Sequence, residues 1–172
     1  MPRSVLRASL TTFLQKLDAN PGMSGSEMLA TARSMLDLKQ DQGIDGIFAI
    51  PPRMMTATLD DGIGQGLILI HCLAELAGVV LTPLGLMQTP ETIITECRHR
   101  QPDILGLTVL QYETEEMLCD ELIPQLPGDV TVILGGPVFR TMGGETLAAK
   151  PYRVLNDAGA FLDYLLKMAA DR

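Results

Sequence analysis

The sequence predicts an α/β fold, a five-stranded parallel sheet with helices on both faces, preceded by a short helical hairpin. Two observations carry that expectation. From Arg53 onward, short apolar runs alternate with helix-length segments, the signature of βαβ units and a parallel sheet covered on both faces. Hydrophobic residues make up 47% of the 172 residues, enough to fill a core of normal size.

Taken in order, Leu6, Leu10, Phe13, Leu14 and Leu17 recur at helical spacing and predict one amphipathic helix. Asn20-Pro21-Gly22 ends it, because proline lacks a donor and glycine tolerates turn dihedrals. Ser24 and Glu27 have capping-box spacing ahead of a stripe of Met28, Leu29, Ala32, Met35 and Leu36. These two helices form a hairpin over residues 1–40, too small to bury a core alone. It is expected to pack on the main domain or on a second copy of the chain as a homodimer. Residues 41–52, rich in Gly and Asp and ending in Pro51-Pro52, read as a linker with a short apolar piece, Ile47 to Ile50. The α/β domain is assigned to 53–172.

Its expected strands are Met54–Thr58, Val79–Thr82, Ile104–Val109, Val130–Leu134 and Arg153–Leu155. Its expected helices are Ile63–Ala77, Pro90–Arg100, Thr114–Leu126, a poorly formed stretch near Phe139–Lys150, and Ala158–Ala170. Right-handed crossovers make this a doubly wound, flavodoxin-like (Rossmann-like) sandwich.

Composition narrows the function. There are 13 basic and 21 acidic side chains, for a net charge of −8, and aromatics are only 4%. Such a surface does not neutralise phosphates or stack bases, so nucleic acid is excluded as a partner. Cys72, Cys97 and Cys119 stand singly, without the spacing of a zinc site or a disulfide framework. The apolar stretch from Leu67 to Met87 is interrupted by His71, Glu75, Gly78, Pro83 and Gly85, as a buried helix and strand would be rather than a membrane span. The amphipathic N-terminus lacks an apolar h-region, so the chain is expected in the cytoplasm.

Open α/β sheets bind ligands beyond the carboxyl ends of their strands, which directs attention to three loops. The first runs Leu59-Asp60-Asp61-Gly62-Ile63-Gly64-Gln65-Gly66, the third strand ends in Thr108-Val109-Leu110, and the fourth ends in Gly135-Gly136. The first loop has neither G-x-G-x-x-G nor GK[ST], so the dinucleotide and phosphate-loop fingerprints are absent.

Together the three loops resemble the cobalamin (B12)-binding domain family, whose signature is D-x-H-x-x-G after strand one, S-x-L after strand three and G-G after strand four. Asp61 to Leu67 resembles that family's H-D-I-G-K-N-I run, Thr108-Val109-Leu110 its S-x-L, and Gly135-Gly136 its glycine pair. Leu84-Gly85 falls where its D-L-G follows strand two. The phrase Ile133 to Val138, with Asn156-Asp157-Ala158 later, is most similar to small corrinoid methyl carriers. The resemblance spans roughly residues 53–170. It implies a corrinoid cofactor held by Asp61, Gly62, Ile63, Gly64, Thr108, Leu110, Gly135 and Gly136, and a methyltransferase partner. It implies no catalytic side chain, because the cofactor carries the chemistry.

The sequence departs from the family at one pair. Asp61 stands where the family has its cobalt-ligating histidine, and Leu59 stands where it has the aspartate that orients that histidine. Histidine ligation is therefore not carried over. Three outcomes stay open: cobalamin without a protein nitrogen ligand, a corrinoid with water or Asp61 below the metal, or a domain that has lost corrinoid and serves as a sensory or assembly module. A hard carboxylate suits low-spin cobalt poorly, which favours the first over the second.

Each residue also has a plain structural reading. Asp60 and Asp61 are either loop carboxylates with a function or caps for the following helix. Thr108 bonds either a buried lower base or its own backbone. Gly135-Gly136 suits close passage of a nucleotide tail. His71 lies about two turns into its helix and reads as packing. Arg98-His99-Arg100 complements a helix C-terminus. The cysteines lack a neighbouring base, and the ten methionines read as adaptable packing. Glu113, Glu115, Glu116, Asp120 and Glu121 read as a solvated helix face or, alternatively, as a docking surface for a basic partner.

Overall fold

The computed structural model describes residues 3–61, 65–110, 117–136 and 152–171. The expected helix near 139–150, most of the acidic cluster and the loop residues Gly62, Ile63 and Gly64 lie outside them. Among the described residues, five α-helices and five strands follow in the order α1 (Arg3–Ala19), α2 (Gly25–Asp41), β1 (Arg53–Thr58), α3 (Gln65–Ala77), β2 (Val80–Gly85), α4 (Pro90–Arg100), β3 (Ile104–Thr108), β4 (Thr131–Gly135), β5 (Tyr152–Val154) and α5 (Ala158–Asp171). The sheet order is β2-β1-β3-β4-β5, the flavodoxin-like order, and β1–β3, β3–β4 and β4–β5 are parallel pairs. The α/β expectation therefore holds, with strand ends moved by at most three residues.

One structural difference from the sequence expectation concerns the helix placed at Thr114–Leu126. Its described part is a π-helical turn, Met117–Leu122, followed by a 3₁₀ turn, Ile123–Gln125. Pro124 lacks the N–H that a continuing α-helix needs at that point.

The chain forms two compact units. One contains residues 1–51, 64–80 and 157–172. Here α1 packs on α5, α2 on α3, and α3 on α5, with Leu6, Leu10 and Phe13 of α1 buried. The capping box forms as expected: the Ser24 hydroxyl accepts from the Glu27 N–H at 3.3 Å and the Glu27 carboxylate accepts from the Ser24 N–H at 2.8 Å. Residues read as linker do more than connect. Ile47 and Phe48 are buried, and the Ile47 N–H donates to the Ala77 carbonyl at 2.9 Å. Gly46 and Gly78, both at positive φ, pass so close that a Cβ on either would overlap backbone of the other segment; only glycine permits that approach. The Lys39 ammonium donates to the Glu75 carbonyl at 2.5 Å.

The second unit contains residues 52–63 and 81–156. Successive strand residues point to opposite faces, and one face is apolar throughout. Met55 and Ala57 of β1, Leu105 and Leu107 of β3, and Val132 and Leu134 of β4 pack with Ile93, Ile94 and Cys97 of α4 and with Leu118 and Leu122 of the π-helical turn. Each fully buried Leu, Ile, Val or Met among them contributes about 1.5–3 kcal/mol. The other face of β1 carries Met54, Thr56 and Thr58, all buried. Both faces of the central strands are thus removed from water, and a ligand of such a sheet is met at the loops beyond the carboxyl ends of its strands.

Candidate functional site

The strand order reverses between β1 and β3, so the switch point of the sheet lies between the ends of these two strands. Thr58 pairs in register with Thr108, and Thr108 with Gly135. Register partners in a parallel sheet project to one face, so these three residues make a lateral row along the carboxyl edge. The row lies on the face opposite to Ala57, Leu107 and Leu134. Thr58 is 0% exposed, and among the described residues its hydroxyl has no hydrogen-bond partner. Leaving a buried hydroxyl unpaired costs about 1–3 kcal/mol.

Asp60, one turn of chain further on, is 7% exposed. Its carboxylate accepts a hydrogen bond from the Leu110 N–H at 2.5 Å, while its backbone carbonyl accepts from the Met87 N–H at 3.0 Å. The Thr58 carbonyl accepts from the Gln88 N–H at 3.0 Å. The loops after β1, β2 and β3 are thereby joined. Met87 holds this position at φ +53, a left-handed conformation sparsely used by non-glycine residues.

The fourth strand joins the same cluster. The Val109 N–H donates to the Gly135 carbonyl at 3.0 Å. Gly136 sits at φ +127, where an added Cβ would overlap the Val109 carbonyl oxygen. The two glycines thus differ in what they do. Gly136 is required by the neighbouring backbone. At Gly135, among the described residues, a Cβ would meet only the Leu155 carbonyl oxygen at 3.8 Å, an ordinary van der Waals contact.

Among the residues singled out from sequence, Thr108, Leu110, Gly135 and Gly136 are therefore brought together at one edge. Asp61 is exposed and follows directly on the buried Asp60. Gly62, Ile63 and Gly64 lie outside the described residues. Leu59 packs against the apolar core of its unit. Sequence reasoning did not separate Asp60 from Asp61, and it passed over Thr58. The alternation of Thr56 and Thr58 with the apolar Met55 and Ala57 was the signal for the latter.

His71 of α3 is held below its ordinary pKa by burial. Burial likewise raises the Cys72 thiol and pushes Cys97 up to about 12, so both rest as unreactive thiols. Among the described residues no group of three His, Cys, Asp or Glu converges as a metal would require. Nor is any described helix long and apolar enough to cross a membrane.

The sheet order and the carboxyl-edge cluster define the class: a flavodoxin-like α/β protein with a candidate ligand site at its β1/β3 switch point. No protein-family model matches the chain, and no curated protein sequence matches it. Solved structures do. A cobalamin-binding protein from Desulfitobacterium hafniense superposes with a TM-score of 0.72 at 14% identity, over 94% of this chain and 78% of its own. The methanol:cobalamin methyltransferase complex from Methanosarcina barkeri gives 0.63 at 16% identity, over 97% of this chain and 66% of its own. The monomethylamine corrinoid protein of Methanosarcina barkeri gives 0.58 at 16% identity, over 83% and 65%. The fold of this chain is the one that these cobalamin-binding and corrinoid proteins use.

Proposed function

We propose that this protein is a corrinoid-binding module that presents cobalamin to a methyltransferase partner, as a methyl carrier or accessory subunit. One observation carries the reading. Three sequence segments far apart in the chain, ending at Asp60, Leu110 and Gly136, are tied into a single cluster at the switch point of a sheet whose fold corrinoid proteins share. When bound, the corrinoid supplies a cobalt centre that takes up and gives away a methyl group. The chain's own part is to hold and orient. Thr108 offers a hydroxyl at the edge, Gly135 leaves space for a nucleotide tail to pass, and Gly136 and Asp60 keep the loops in position.

The residues present fit a nucleotide tail better than they fit an axial imidazole. Asp61 is exposed, Leu59 is committed to the core and the Asp60 carboxylate is engaged by the Leu110 N–H, so the described residues of this loop do not reproduce the family's orienting carboxylate. A bound corrinoid would then be held through its nucleotide tail by Thr108 and the Gly135-Gly136 edge rather than through a nitrogen ligand from this loop. Purified protein incubated with hydroxocobalamin and desalted is expected to keep a corrin absorption spectrum, whose base-on or base-off form reports the lower ligand. Loss of the chromophore on desalting, with no heat of binding in calorimetry, would overturn the proposal.

The same two positions favour a second reading, a domain of this fold that no longer holds corrinoid and acts as a sensory or assembly module. The hydroxocobalamin experiment decides between the two.

A further inference from the structure

We infer that the Thr58 hydroxyl is a second hydrogen-bonding group for the nucleotide tail of the corrinoid, beside Thr108. The inference rests on the corrinoid-binding reading above and assigns a specificity role within it to a residue outside the motifs. Buried hydroxyls in folded proteins are nearly always paired. The Thr58 hydroxyl is fully buried and, among the described residues, has no partner. Valine has nearly the same shape and would bury here without that cost, so packing alone does not account for a hydroxyl at this position.

Its place in the sheet says what it is for. Thr58 and Thr108 are register partners on adjacent strands, which lie about 4.8 Å apart, and both project to the same face. The next member of the row is Gly135, which has no side chain. The edge thus offers two hydroxyls followed by a gap. Behind the row, a Cβ on Gly106 would run into the terminal methyl of Met54 and meet the methyl of Thr56, so apolar groups occupy that space. A tail built of base, ribose and phosphate carries ring nitrogen, hydroxyl and phosphate oxygen atoms along its length. Two hydroxyls at strand spacing match a pair of such atoms where a single one matches only one.

The test compares hydroxocobalamin with cobinamide, a corrinoid that lacks the nucleotide tail, by calorimetry on wild type and Thr58→Val. Wild type is expected to bind cobalamin more tightly than cobinamide. Thr58→Val is expected to weaken cobalamin binding by roughly tenfold, to leave cobinamide binding unchanged, and to melt without ligand at the same temperature as wild type or higher. Thr58→Ser, which keeps the hydroxyl, is expected to retain most of the cobalamin affinity. If the valine variant does not fold, Thr58→Ala takes its place. Unchanged cobalamin affinity, an equal fall for both corrinoids, or a wild type that does not distinguish them would overturn the inference while leaving corrinoid binding in place. A wild type that binds neither corrinoid would overturn both.

Discussion

The Asp60 carboxylate accepts the Leu110 N–H at 2.5 Å across 50 positions of sequence. It is buried, and it spans the two strands between which the sheet order reverses. A charge-assisted bond of this kind both satisfies a backbone donor at the end of β3 and fixes the distance between the loops that flank the switch point.

Asp60→Ala is accordingly expected to lower unfolding stability by about 2 kcal/mol, because the Leu110 N–H loses its partner in a place with little water. Asp60→Asn, which keeps an acceptor oxygen without the charge, is expected to lose less. Urea unfolding followed by circular dichroism measures both. A loss below a few tenths of a kcal/mol for the alanine variant would mean that the loops hold together without this bond.

The glycine pair gives a sharper contrast. Gly136→Ala combines a backbone at φ +127 with overlap against the Val109 carbonyl, so a destabilisation of roughly 3 kcal/mol is expected. Gly135→Ala, whose Cβ would make an ordinary 3.8 Å contact with the Leu155 carbonyl oxygen, is expected to stay within about 1 kcal/mol of wild type. Thermal unfolding of the two variants side by side checks this, and equal losses would contradict the division of roles between them.

The corrinoid reading predicts a gain of ligation. Leu59→Asp with Asp61→His restores the D-x-H pattern of the family that the loop resembles. The double variant is expected to retain cobalamin more strongly than wild type and to shift its absorption spectrum as imidazole replaces the lower ligand. Leu59→Asp alone is expected to destabilise the fold, since a carboxylate would enter an apolar cluster without a partner. An unaltered spectrum in the folded double variant would place the cobalt away from this loop.

Cys97 supplies a pH dependence. Burial pushes its thiol from 9.0 up to about 12, so between those values the unfolded chain gives up a proton that the folded chain keeps. Its contribution to stability is full below pH 9.0 and is lost as pH rises toward about 12. The slope from this group is at most about 1.4 kcal/mol per pH unit. Wild type is expected to lose stability with rising alkalinity more steeply than Cys97→Ala, read by urea unfolding at pH 8, 9 and about 10. Parallel slopes would show that the thiol ionises equally in both states.

Much of the fold was legible because burial on both strand faces leaves short, mostly apolar runs of strand length that alternate with helix-length segments. Met54 to Thr58 and Ile104 to Val109 are such runs, and their strands formed within a residue of the expected ends. The π-helical turn at Met117–Leu122 was less legible, since periods of 3.6 and of a wider turn differ little over six residues. The buried Ile47 and Phe48 were read as linker because the surrounding glycines signal turns. Those glycines in fact admit a close backbone crossing at Gly46 and Gly78.

The sequence by itself determined the α/β class, the candidate edge and three of the segments that meet there, because the succession of strands and helices along the chain and the position of the loops follow from apolar periodicity and local turn chemistry. Only the tertiary structure decided which residues face one another at that edge. Register sets Thr58 beside Thr108, and the approach of two distant loops makes Asp60 the buried carboxylate while Asp61 stays exposed. Adjacent positions in a chain carry the same composition signal. Their burial and their hydrogen bonds depend on segments 50 residues away.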